Sequence, residues 1–330
     1  MELPQIRIAG TGRYLPGATL ENAAFAGLAG LADDWIVQRT GVRSRRVAAP
    51  DEGTAALGAR AAERALASAG LAAADVALLV VATSTPDHLT PPTSCEIQAA
   101  IGALGAACFD MEAGFAGWLH ALVVASALVR TGVAANALVV GADELSTITD
   151  RTDPATGPLF GDGAGAVVLA PGDGPITLGA TSWWADGRLA GALERPAGGA
   201  RRPFDAEVLA QRAHLLRMEG TKLFRHSVRT MAEQARTALG RAGLEVADVD
   251  LVVPHQANLR ILTAFAEEAG VPFERVFVNL DRYGNTGSAT IPIALDEARE
   301  QGRLRGNVLL VSFGAGATAG AAILKAGSLR

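Results

Sequence analysis

The 330-residue chain is 49% apolar, has a formal charge of −5 and contains two cysteines. This length and apolar share are enough for a large core in about two domains. The acidic balance argues against nucleic acid or an anionic membrane as the main partner, so small molecules or protein-borne substrates are expected.

Cys95 and Cys108 form no CxxC and no Cys/His cluster. Neither a disulfide framework nor a zinc site is expected, both thiols are expected to be buried and inert, and a reducing cytoplasm is the expected compartment. Residues 1–10 hold a single Arg and no apolar run fit for a signal peptide. No segment reaches the ~20 apolar residues of a membrane span.

In chain order, residues 5–12 read as a strand with a glycine turn, Ala-rich 54–69 as a helix, and 75–83 as a strand of continuous apolar residues. Helix 94–104, strand 107–111, helix 116–131, strand 137–142 and strand 165–170 follow. Apolar runs without alternation, separated by helices, predict strands covered on both faces in a layered α/β fold. Residues 183–212 mix Gly, Pro, Arg and Trp without periodicity and are expected to form an irregular loop insertion, a lid or binding loop. Helix 215–240 comes next.

The second half then repeats the first. Ala69-Gly70-Leu71 with Asp75-Val76 matches Ala242-Gly243-Leu244 with Asp248-Val249, 136–141 matches 307–312, and Phe160-Gly161-Asp162-Gly163 matches Phe313-Gly314-Ala315-Gly316. Self-similarity at one spacing implies a duplicated domain, with halves at 1–172 and 173–330 and a site at their interface.

Four places carry chemistry. The segment Asp110-Met111-Glu112-Ala113-Gly114-Phe115-Ala116-Gly117-Trp118 ends a strand and opens a helix. Such a turn exposes its side chain and aims backbone N–H groups at developing negative charge. His255, in His255-Gln256-Ala257-Asn258, ends a strand, and a neutral imidazole there can donate to a thioester or carboxylate oxygen. Asn285, in Tyr283-Gly284-Asn285-Thr286-Gly287-Ser288, opens a helix containing Pro292 and offers an amide donor. Gly314-Ala315-Gly316 follows a strand and presents backbone N–H groups without bulk.

Together these motifs resemble the β-ketoacyl-ACP synthase III group of the thiolase superfamily, over essentially the whole chain. The resemblance implies a thiolase-like duplicated α/β fold in five layers, αβαβα. It also implies an acyltransferase that loads an acyl group from acyl-CoA on a Cys and condenses it with malonyl-ACP in fatty-acid or polyketide biosynthesis. His255 and Asn285 match the residues that promote decarboxylation, and the backbone of Phe115, Ala315 and Gly316 matches the oxyanion hole. Trp35 and Arg39 match an adenine-stacking Trp and a phosphate-binding Arg for CoA. Arg151, Asn258 and Arg260 fall at CoA or carrier-protein contacts. No cofactor is implied beyond the CoA or phosphopantetheine thioester that serves as substrate, and the partners implied are acyl-CoA, the acyl carrier protein and a second copy in a homodimer.

At one position the chain departs from this pattern. The family's Cys falls on Phe115, whose side chain has no nucleophilic atom, so no acyl-enzyme forms there. Three readings follow: a Cys→Phe replacement that disables the enzyme or fills its acyl pocket; a natural Cys-less decarboxylase of malonyl thioesters, or acyl transferase to a hydroxyl or amine; and a non-catalytic subunit that docks a carrier protein.

Overall fold

The computed structural model describes residues 3–25 and 33–327. The strands of its large sheet are β1 (Ile6–Tyr14), β2 (Leu78–Ala82), β3 (Ala107–Met111), β4 (Ala137–Glu144), β5 (Asp162–Pro171), β6 (Ile176–Ala185), β7 (Val249–Pro254), β8 (Gly306–Gly314) and β9 (Thr318–Ala326). Its main helices are α1 (Asp33–Thr40), α2 (Thr54–Ala69), α3 (Thr93–Ile101), α4 (Gly117–Arg130), α5 (Gly220–Ala242), α6 (Leu259–Ala269) and α7 (Thr290–Glu300).

The nine strands pair in the order β7-β8-β9-β6-β1-β5-β4-β2-β3. From β1 outward, β5 is antiparallel to β1 and β4 antiparallel to β5, and β2 lies parallel to both β4 and β3. From β6 outward, β9 and β8 are likewise antiparallel, and β7 is parallel to β8. Beyond β7 the Phe277 amide donates to Val252 O at 2.8 Å, which stands in for the missing fifth strand. The two sets of strands therefore share one order and one set of directions, and they meet where Ile6 and Arg7 pair with Leu178 and Thr177.

The continuous apolar runs follow from burial on both faces. In β2, Leu78, Val80 and Ala82 face an inner core with Trp118, Leu119 and Leu122 of α4 and Ile291 and Leu295 of α7. Leu79 and Val81 face an outer core with Leu57, Ala61 and Ala65 of α2 and Ile97 of α3. On the other half, Met231, Ala235 and Leu239 of α5 and Phe265 of α6 cover Val252, Leu309 and Val311. The result is the expected five layers, with α4 and α7 sandwiched between sheet halves.

Several local expectations are corrected. Helix 215–240 begins at Gly220, because Arg217 and Met218 instead pair with Glu194 and Leu193 in a small two-stranded sheet. The 183–212 stretch is only partly irregular. Its first three residues complete β6, a 3-10 turn spans Gly187–Ala192, and a short helix spans Ala206–Ala210. Leu189, Leu193 and Val208 are buried, so the segment packs against the body. Cys95 and Cys108 are half-exposed, with their Sγ atoms 3.5 Å apart, because β3 lies at the edge of the sheet.

Candidate active site

The Phe115 turn is fixed from both halves of the chain. Asp110, at the end of β3, accepts the amides of Thr93 and Ser94 at 2.7 and 2.8 Å and so caps α3. Gly114 has φ +51°, and a Cβ there would lie 2.5 Å from the Ala315 amide nitrogen, so only glycine lets the two turns nest. Ser312 Oγ donates to Phe115 O at 3.1 Å, and Thr318 Oγ1 donates to Ala113 O at 2.6 Å. The Phe115 side chain then points into an apolar cluster of Leu145, Ile148, Leu159, Phe160, Leu193 and Leu216. Its ring meets Phe160 edge-on at 5.8 Å.

His255 follows β7 directly, and its amide donates to Val311 O at 2.8 Å. The imidazole stands 5.6 Å from the Phe115 ring, centroid to centroid, tilted by 37°. Nδ1 lies 2.7 Å from Thr290 Oγ1. Desolvation pushes the ring's pKa down to about 3, so it is neutral at physiological pH. Gln256, next in the chain, braces this junction: its amide donates to Pro254 O and Phe277 O, and its Oε1 accepts the Asn279 amide.

Asn285 reaches the same place from the turn before α7. Its backbone exchanges bonds with Leu159 O and the Gly161 amide across to the first half. Its Oδ1 accepts the Gly287 amide at 2.9 Å, which orients the side chain and leaves Nδ2 as the donor. Beneath this turn lies Asp143, wholly buried, which accepts the amides of Ser288 and Ser84 at 2.6 and 2.7 Å and the Thr83 hydroxyl at 3.1 Å. Gly287 has φ +59°, and a Cβ there would collide with the Asp143 carboxylate. Gly287→Ala is therefore expected to lower stability by about 2–3 kcal/mol, from left-handed backbone strain together with the displaced carboxylate. A urea midpoint unchanged from that of the unsubstituted chain would contradict this account of the turn.

A cavity of ≈ 340 Å³ joins these groups, lined by Phe115, His255, Asn285, Asn258, Arg260 and Gly314, with apolar walls from Leu159, Phe160, Leu193, Met218, Phe224 and Ile261. Of the residues expected from sequence, Phe115, His255, Asn285, Asn258 and Arg260 are brought together here. Asn258 also caps α6, its side chain accepting the Arg260 amide at 2.9 Å. Ala315 packs on the Phe115 cluster, but neither it nor Gly316 lines the cavity.

Trp35 and Arg39 lie on α1, which packs against α6, with the Arg39 guanidinium 5.2 Å from the Trp35 ring centroid. They and the exposed Arg151 stand outside the cavity lining. Sequence reasoning missed Thr290, Gln256 and Asp143. An acidic residue closing the apolar run Val139-Val140-Gly141-Ala142 was the available signal for Asp143. Among the described residues no group of three or more His, Cys, Asp and Glu is placed to hold a metal ion.

Two family models match the chain: 3-oxoacyl-[acyl-carrier-protein (ACP)] synthase III over residues 109–187, and the C-terminal part of the same family over residues 239–326. The β-ketoacyl-[acyl-carrier-protein] synthase III of Roseiflexus castenholzii is 47% identical over 320 residues, covering 96% of this chain and 97% of that protein. The crystal structure of 3-oxoacyl-[acyl-carrier-protein] synthase III from Aquifex aeolicus superposes with a TM-score of 0.89 at 39% identity, over 97% of this chain and 99% of that one. The priming β-ketosynthase of the R1128 polyketide pathway superposes with a TM-score of 0.91 at 36% identity, over 99% and 98%. On the motifs, the topology and these likenesses, the chain belongs to the 3-oxoacyl-[acyl-carrier-protein] synthase III family of condensing acyltransferases, with the family's thiolase-like fold.

Proposed function

We propose that this chain is a synthase III of fatty-acid or polyketide biosynthesis in which covalent acyl loading is disabled at Phe115 while the malonyl-thioester half of the reaction is kept. The observation that carries this reading is the Phe115 ring 5.6 Å from His255, in the cavity that Asn285 also lines. An aromatic carbon has no lone pair with which to attack a thioester, and the ring fills the apolar cluster where an acyl chain would lie.

The remaining groups suit one step. A phosphopantetheine arm enters past Arg260 and Asn258, and the thioester carbonyl oxygen docks against the Asn285 amide beside the neutral His255 ring. The bond from the α-carbon to the carboxylate breaks, CO2 leaves, and its electron pair moves onto the carbonyl oxygen as an enolate held by these groups and by backbone N–H groups at Phe115, Ala315 and Gly316. With no acyl-enzyme to attack, the enolate takes a proton from water and leaves as an acetyl thioester.

In this reading residues 1–172 and 173–330 act as two halves around the cavity, with acyl-CoA met by Trp35, Arg39 and Arg151 and the acyl carrier protein by Arg260. The half-exposed edge strand β3 is where a second copy would add to the sheet, forming a homodimer. The compartment is the cytoplasm. No helix among the described residues is long and apolar enough to cross a membrane.

The test is CO2 release from malonyl-ACP. Release is expected from the chain as it stands, with His255→Ala and Asn285→Ala each lowering it about 100-fold, the usual loss of one oxyanion donor. Carrier-protein binding with no CO2 above the buffer rate would leave only the docking reading.

A further inference from the structure

The imidazole of His255 meets a hydroxyl that has a second neighbour. Thr290 Oγ1 lies 2.7 Å from His255 Nδ1 and 3.1 Å from the carbonyl oxygen of Gly287, three residues earlier in the chain. A threonine hydroxyl has one proton to give, and a carbonyl oxygen can only accept. Back-bonding of a Thr hydroxyl to a carbonyl three or four residues earlier is a common local arrangement. If the proton goes to Gly287 O, then Nδ1 must itself be the donor to Oγ1, and all three atoms are satisfied in one chain. If it goes to Nδ1 instead, two oxygen lone pairs face each other at 3.1 Å.

Both side chains are 2% exposed, so water does not relieve that second arrangement. We infer that Thr290 is a positioning residue that keeps the proton of neutral His255 on Nδ1, so that the empty site presents Nε2 as a bare acceptor next to the donor amide of Asn285.

The pair is then one acceptor and one donor. At rest it suits a group that brings both a proton and a lone pair, such as a water, a hydroxyl or a carboxylic acid. A thioester carbonyl, which only accepts, bonds Asn285 first; Nε2 becomes its second donor when a cavity water gives Nε2 a proton and takes back the one on Nδ1, and the Thr290 hydroxyl then turns from Gly287 O to Nδ1. This consequence rests on the decarboxylase reading for its substrate, whereas the tautomer itself is a property of the empty protein.

The experiment reads the ring directly. In the full chain labelled with ¹⁵N-histidine, the His255 signals are identified by their loss in His255→Gln. The nitrogen that carries the proton is then read from which ring ¹⁵N shows the N–H shift. The unsubstituted chain and Thr290→Ser are expected to show the proton on Nδ1. Thr290→Val, which strands an N–H at Nδ1, is expected to show it on Nε2, because a buried ring nitrogen without a donor is less costly than a buried N–H without an acceptor. A proton on Nε2 in the unsubstituted chain, or on Nδ1 in Thr290→Val, would overturn the inference. Either result leaves the CO2 assay unaffected as a test of function, and failure of that assay leaves the tautomer assignment standing.

Discussion

Phe115→Cys is expected to convert a chain that takes up no acyl group into one that forms a stoichiometric acyl adduct with acetyl-CoA and condenses it with malonyl-ACP. The thiol would sit one residue before the N-cap of α4, where the helix's free N–H groups and positive end lower a cysteine's pKa and favour thiolate. Removing the ring opens the space between Phe160, Leu193 and Leu216, and His255 already faces that position. The change has a thermodynamic cost: a buried aromatic ring is replaced by a small side chain in an apolar cluster, worth about 2–4 kcal/mol by comparison with other large-to-small core substitutions.

Intact mass measurement after incubation with acetyl-CoA decides the first step, and product analysis decides the second. Cys95 and Cys108 are the control, since both are half-exposed and could acylate adventitiously. The adduct should persist in Phe115→Cys carrying Ser at both positions. A folded Phe115→Cys chain that stays unacylated would show that Phe115 is not the only obstacle, and the disabled-nucleophile reading would fall with it.

Much of the scaffold was legible because its signals are local. Short apolar runs bounded by turn residues, such as Leu78–Ala82, read as strands buried on both faces, and the repeat of turns matches the doubling that the strand order displays. Strands β6 and β9 escaped because Gly, Ala and Thr dilute their apolar pattern, and their pairing with each other is a long-range property. At the site, His255 and Asn285 were legible as polar residues at strand and helix ends. Thr290 was not, since its role depends on a contact across 35 residues that no local pattern announces. The same holds for the packing of α1, which leaves Trp35 outside the cavity lining although its motif is local.

The second large effect concerns acid stability, where His255 and Asp143 act in opposite directions. His255 has a folded pKa of about 3 against an ordinary value of 6.5, so between those values the unfolded chain binds a proton that the folded chain refuses. Its contribution is fully present above pH 6.5 and is lost as pH falls, by about 3 kcal/mol on reaching pH 4. Asp143 is raised by burial to about 6 from 3.8, with the Ser84 and Ser288 amides pulling the other way. The folded chain therefore holds the extra proton, and this contribution is present below pH 3.8 and lost as pH rises to 6, again by about 3 kcal/mol.

Between pH 4 and 6 the two slopes nearly cancel. Urea midpoints at pH 4, 5, 6 and 7 should show this in differences between variants, where the other titrating groups drop out. Relative to the unsubstituted chain, Asp143→Asn should lose about 2–3 kcal/mol on acidification from pH 6 to 4, because the His255 contribution is left unopposed. Over the same interval His255→Gln should gain a similar amount, because only the Asp143 contribution remains. Curves for the two variants that run parallel would mean that one of these groups is not desolvated as its surroundings require.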